Sequence, residues 1–209
     1  MNDVESSVMD AVNMAGFVEI EVSAKHVHLT EQDVEVLFGK GAVLEMKRPL
    51  SQPGQFLSEQ RVKLIGPKKT MEHVAVLGPV RKATQVELSR TDCVALGIDA
   101  PLRESGDIKG SGSVIIEGPC GTLEVKEGVI VAHNHIHVTE EDAGRLNLKD
   151  KDRVAVQVYS DRPVIFNDVI IRVSSKFAFR MHIDFDEANA AGIKGFTLGR
   201  IIPRIGSTI

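Results

Sequence analysis

The chain predicts a mainly β fold, a barrel or sandwich architecture made from a duplicated unit and capped by short α-helices. Three observations carry that expectation. Apolar residues fall into many brief, β-branched stretches separated by turn residues. Helix-forming stretches are short, and each opens with a Ser, Thr or Asp. Two pairs of segments far apart in the chain also repeat one another residue by residue. Frequent turns between short strands favour barrels or sandwiches over a Rossmann sheet.

The elements follow in order. "MNDVESSVMDAVNMAG" spaces Val4, Val8, Val12 and Ala15 at helical intervals beside Asp3, Glu5 and Asp10, then stops at Gly16. Residues 1–16 therefore read as a terminal helix, and the acidic residues argue against a secretory or mitochondrial signal. A docked or frayed helix is the plain reading; one that recognises another protein is the sharper one. From Phe17 come the strands "FVEIEVSA", "RVKLIGP", "HVAVLGP", "SVIIEGP", "GTLEVKEGVIVA", "RVAVQVYS", "PVIFNDVIIRVS" and "FAFRMHID", punctuated by Gly-Pro pairs at Gly66, Gly78 and Gly118. Helices are expected over Thr30–Gly39, Ser89–Gly97, Thr139 to about Leu148, and Asp184–Gly192. Each has Asp or Glu three residues after its cap, resembling a capping box, and three close near glycine.

Just before each helix stands a side chain able to bind a metal: His28, Glu87, His137 and His182. His26 and His135 complete two His-x-His pairs, and residues at i and i+2 of a strand share a face, so each pair can grip one ion. Laying "HVHLTEQD" on "HIHVTEED" puts His26 on His135, His28 on His137, Thr30 on Thr139 and Asp33 on Asp142. Laying "VELSRTDCVALGI" on "MHIDFDEANAAGI" pairs Glu87 with His182, Asp92 with Glu187 and Gly97 with Gly192. A lone strand histidine is more often structural than ligating. Two pairs at equivalent repeat positions favour metal, because capping alone does not call for imidazole. Six nitrogen or carboxylate ligands suit two zinc-like ions if each keeps an open position or Glu87 bridges them. His133, His73 and the cysteines read as incidental or supporting.

Bulk properties narrow the partners. With 209 residues and 43% hydrophobic content the chain can bury one large or two small cores, and the duplication favours two. A net charge of −4 without a long basic run disfavours nucleic acid. No apolar run has bilayer length. Cys93 and Cys120 lack paired metal spacing and read as reduced cytosolic thiols. Arg81, just after Gly78-Pro79 and upstream of Glu87, offers a planar two-pronged donor suited to phosphate or carboxylate, though from spacing alone a surface arginine is an equal reading.

"EVSAKHVHLT", "LGPVRKATQVELSRTD", "GVIVAHNHIHVTEEDA" and "MHIDFDEANAAG" resemble the signature blocks of the phosphate propanoyltransferase family, the phosphotransacylases of bacterial microcompartments and of some anaerobes. The likeness runs from about Glu19 to Pro203. It implies reversible conversion of a short-chain acyl-CoA and phosphate to acyl phosphate and coenzyme A, with two divalent metal ions, typically zinc. On matching positions it implies His26 and His28 on one ion, His135, His137 and His182 on the other, Glu87 between them, and Arg81 on the phosphate. It also implies two small β-barrels: residues 25–132, with a small insertion near 39–59, and residues 133–209 completed by a first strand at 17–24. A homodimer is expected, in the cytoplasm or inside a microcompartment reached through residues 1–16.

The chain departs from the family pattern in the residue before each His-x-His, ordinarily arginine. Lys25 keeps the charge, and with it a candidate substrate-binding role, whereas Asn134 loses both charge and fork. Alternatives are a metal-dependent hydrolase of thioesters, esters or amides, and a non-catalytic metal-binding protein of a microcompartment. A metallo-β-lactamase-type site is excluded because "HVHLTEQD" lacks His-x-His-x-Asp-His.

Overall fold

A computed structural model of the chain describes residues 3–202. Residues 1–2 of the N-terminal segment and 203–209 at the other end lie outside the described residues. The fold is mainly β, with closed six-stranded barrels and a few short helices. The chain divides into two compact units, one formed by Met1–Ser23 with Asn134–Ile209 (unit 1) and one by Ala24–His133 (unit 2).

In chain order the elements are α1 (Asp3–Met14), β1 (Phe17–Val22), β2 (His26–His28), α2 (Glu31–Phe38), β3 (Met46–Pro49), β4 (Phe56–Ile65) and β5 (Thr70–Gly78). Then follow β6 (Gln85–Glu87), α3 (Arg90–Leu96), β7 (Leu102–Arg103), β8 (Gly112–Glu117), β9 (Thr122–Ala132), β10 (His135–Val138), α4 (Glu140–Arg145), β11 (Arg153–Val158), β12 (Ile165–Val173), β13 (Arg180–Ile183), α5 (Phe185–Ala190) and β14 (Leu198–Ile202). Among the described residues no helix is long and apolar enough to cross a membrane.

In unit 2 the pairing runs β2–β5–β4–β8–β9–β6 and back to β2, with β3 added beside β4 and β7 beside β9. In unit 1 it runs β10–β12–β11–β14–β1–β13 and back to β10. The two rings match strand for strand. The His-x-His strand is parallel to β5 or β12 and antiparallel to β6 or β13 in both. β1 plays the part of β9: each is parallel to the strand carrying the third candidate ligand, with Glu21 opposite His182 and Ile130 opposite Glu87. Each then leads along the chain into a His-x-His strand, β1 into β2 and β9 into β10. The duplication is therefore circularly permuted, its second copy taking its last strand from the beginning of the chain.

Strand alternation builds each core. Val27 and Val86 are buried with Leu29, Leu64, Val76, Ile116 and Val129 in unit 2. Ile136, Val138, Met181 and Ile183 are buried with Val18, Val156 and Ile171 in unit 1. Period two then sends the histidines and Glu87 to the opposite face of the same strands. β14 escapes sequence reading because Gly199 and Arg200 interrupt its apolar pattern. Gly199 sits where an added Cβ would lie 2.5 Å from Val156 Cγ1, so glycine lets β14 lie flush on β11.

The four helices after the ligand strands start where expected. Thr30, Ser89, Thr139 and Asp184 are extended N-caps whose side chains accept from the backbone N–H three residues on. The full reciprocal box forms at Asp184–Glu187 alone among the four. At the others the third residue is Asp, a methylene shorter than Glu, and Asp92 and Asp142 accept from their cap hydroxyls instead. α4 stops at Arg145, short of Leu148, because Asn147 adopts φ +53 and ends the helix.

Candidate metal centre

In unit 2, β2 and β6 align so that His26 stands opposite Glu87 and His28 opposite Gln85. The His26 and His28 rings lie 4.9 Å apart between centroids and nearly perpendicular. Glu87 Oε2 is 3.5 Å from His26 Nε2, and Oε1 is 3.9 Å from His28 Nε2. Both histidines are buried, at 5% and 2% exposure. His26 Nδ1 lies 2.8 Å from the Ala24 carbonyl, which can only accept, so Nδ1 carries the proton and Nε2 faces the cluster.

The three candidate ligand atoms lie within 4.8 Å of one another. In a tetrahedral zinc site with bonds of roughly 2.0–2.1 Å, ligand atoms stand about 3.4 Å apart. Small side-chain adjustments therefore suffice, and His26, His28 and Glu87 form a group able to hold a metal ion.

Electrostatics favour the same use. Burial by itself would raise the Glu87 pKa, but charge and hydrogen bonding from His26, the charge of His28 and the Ser105 hydroxyl outweigh it and hold the carboxylate well below its ordinary 4.5. Burial by itself would lower His26, yet Glu87 and the Ala24 carbonyl outweigh burial and Arg81, leaving its pKa above 6.5. His28 is driven well below 6.5 by burial, then by His26 and Arg81, against the pull of Glu87. Below the raised His26 pKa, and without a cation, the group thus holds one buried ion pair beside a neutral imidazole.

Further side chains surround Glu87. Ser105, on the turn after β7, donates to Glu87 Oε1 at 2.9 Å. Gln85 Nε2 donates to the same oxygen at 2.6 Å and to Ser105 Oγ at 2.9 Å, while Gln85 Oε1 accepts from Gly106 N–H at 2.7 Å. Arg81 Nη1 donates to Ser105 Oγ at 3.1 Å, so the guanidinium is tied to the Glu87 network through one hydroxyl. Sequence reasoning missed Gln85 and Ser105. Gln85 carried a usable signal, lying two residues before Glu87 on the same strand face; Ser105 carried none.

Unit 1 repeats the strand register. His135 stands opposite His182 across β10 and β13, as His26 stands opposite Glu87. The ring centroids of His135, His137 and His182 are 4.6, 5.4 and 5.0 Å apart, and Phe177 lies 4.1 Å from His137.

The residues preceding the His-x-His pairs also correspond. Lys25 Nζ lies 3.1 Å from Asp92 Oδ1, and Asn134 Nδ2 donates to Glu187 Oε1 at 2.6 Å. Each ties its His-x-His strand to the third residue of the helix after the third candidate ligand. Asparagine thus replaces an ion pair by a neutral donor while keeping the brace.

The family model for phosphate propanoyltransferase matches residues 19–194. Among curated proteins, a phosphate propanoyltransferase of Clostridioides difficile (strain 630) is 45% identical over 204 residues, covering 98% of each chain. Those of Leptotrichia buccalis and Thermotoga maritima are 50% and 51% identical, covering 87% and 82% of this chain and 86% and 82% of their own. With a family model spanning both His-x-His strands and relatives this close over nearly the full length, the chain belongs to the phosphate propanoyltransferase family of transferase enzymes.

Proposed function

We propose that the chain transfers a short-chain acyl group reversibly between coenzyme A and inorganic phosphate, using two divalent metal ions, zinc being the expected metal. His26, His28 and Glu87 would hold one ion, and His135, His137 and His182 the other. The observation that supports this reading is the shared register of the two units: the same strand pair sets a His-x-His opposite a third candidate ligand in each. The donor sets, imidazoles with a buried carboxylate, suit zinc-like cations. When bound, such ions supply Lewis acidity for the thioester carbonyl and charge neutralisation for phosphate.

The chain's own groups do the rest. Arg81 offers a guanidinium to the phosphate dianion, oriented through Ser105. A phosphate oxygen attacks the thioester carbonyl carbon; the new C–O bond forms, the C–S bond breaks, and its electron pair leaves on the coenzyme A sulfur. Direct displacement is preferred over an acyl-enzyme, since Cys93 is buried in the unit 2 core and the Ser105 hydroxyl is committed to Glu87. Lys25 is proposed as an auxiliary anion contact, sharing its amine with Asp92. A homodimer and docking of residues 1–16 to compartment shell proteins complete the reading.

The deciding assay measures thiol release from several acyl-CoAs, with and without phosphate, on protein of measured metal content. Phosphate-dependent release with acyl phosphate as product is expected. Phosphate-independent release with free carboxylate would make the chain a hydrolase, and no turnover in metal-replete protein would make it a binding protein.

A further inference from the structure

The groups around Glu87 are arranged to leave it one particular oxygen. Oε1 receives two hydrogen bonds, from Gln85 Nε2 at 2.6 Å and Ser105 Oγ at 2.9 Å. Oε2 is the oxygen nearest the His26 ring nitrogen, at 3.5 Å. Gln85 is 2% exposed, and its amide orientation is set at both ends: NH2 toward the carboxylate and hydroxyl, carbonyl oxygen toward Gly106 N–H. The Ser105 hydroxyl accepts from Gln85 and Arg81 and donates to Glu87, using its full hydrogen-bonding capacity.

We infer that Gln85 and Ser105 are positioning residues: together they clamp Glu87 so that it binds its cation through Oε2 alone, and they couple that carboxylate to the Arg81 guanidinium. The inference rests on the metal reading above. A monodentate carboxylate leaves more of the coordination sphere open for substrate than a bidentate one. The clamp belongs to unit 2. In unit 1 the position equivalent to Gln85 is Arg180, opposite His137 as Gln85 is opposite His28, and Arg180 pairs instead with Glu19 at 2.8 Å. There the third candidate ligand is an imidazole, which can bind one ion through only one ring nitrogen at a time, so it has no bidentate mode to suppress.

The test uses the full chain and needs no turnover. Zinc affinity is measured by competition with a chromophoric chelator for wild type, Ser105→Ala, Gln85→Leu and Ser105→Thr, with circular dichroism confirming the fold of each. Loss of such supporting groups costs roughly 10- to 100-fold in metal affinity. Ser105→Ala and Gln85→Leu are expected to lose that much at one site per chain, and Ser105→Thr, which keeps the hydroxyl, to bind as wild type does. In cobalt-loaded protein the visible absorption of Ser105→Ala should weaken as the released carboxylate becomes bidentate and the coordination number rises, a change that general loosening of the fold would not produce. Wild-type affinity and an unchanged cobalt spectrum in both Ser105→Ala and Gln85→Leu would overturn the clamp. Wild-type protein that takes up no zinc would overturn the metal reading itself.

Discussion

Replacing Glu87 by Gln isolates the charge of the candidate centre, because the amide oxygen can still accept from Gln85 and Ser105 while the negative charge is gone. In metal-free protein the substitution leaves His26 without its counter-charge at 3.5 Å. At an effective dielectric near 20 the Coulomb attraction at that distance is about 5 kcal/mol, and burial opposes much of it. A charge-assisted hydrogen bond contributes a net of roughly 1.5–3 kcal/mol, so a loss of about 2 kcal/mol is expected where both partners are charged. The sign follows from the two shifts. Glu87 lies below its ordinary 4.5, so its contribution is present above that pH and lost as pH falls through the native value. His26 lies above its ordinary 6.5, so its contribution is present below that pH and lost as pH rises through the native value. Melting curves in chelator should therefore separate wild type from Glu87→Gln most between about pH 4.5 and 6.5, by roughly 4–8 °C. The gap should narrow at pH 8.5. An equal gap at pH 5.5 and 8.5, or none at either, would refute the assignment of a buried His26–Glu87 ion pair.

Zinc uptake by unit 2 must displace the His26 proton, so apparent affinity should fall about tenfold per pH unit below the His26 pKa, read by chelator competition with proton release followed in weak buffer. Arg81→Ala should raise KM for phosphate with zinc content retained; an unchanged phosphate KM would remove Arg81 from the anion site. Lys25→Ala breaks a pair whose lysine is 37% exposed, so stability should change by less than about 1 kcal/mol, and a several-fold rise in a substrate KM would then report a direct contact. Ile136→Ala, at a fully buried site between His135 and His137, should cost roughly 2–5 kcal/mol and lower the melting temperature.

Local physics explains what could be read from the sequence alone. Caps are set by a side chain and the backbone three residues away, so the starts of α2, α3, α4 and α5 were legible at Thr30, Ser89, Thr139 and Asp184. Period-two alternation put His26 with His28 and His135 with His137 on one strand face. The two internal matches, Glu87 with His182 and His26 with His135, anticipated the equivalent registers of the two barrels. The mainly β class and the family likeness rested on the same stretches.

Contacts between distant positions were decided by the tertiary structure. The pairing of β1 with β13 and β14, which makes the repeat circularly permuted, depends on which edge a strand closes, and no local pattern encodes that. The same holds for Ser105 on a turn with no periodicity, and for Lys25 spending its amine on Asp92. Hydrogen bonds between side chains remote in sequence form only once strand register has set the backbone. The chain therefore announced its candidate ligands, while the fold chose which oxygen of Glu87 faces His26.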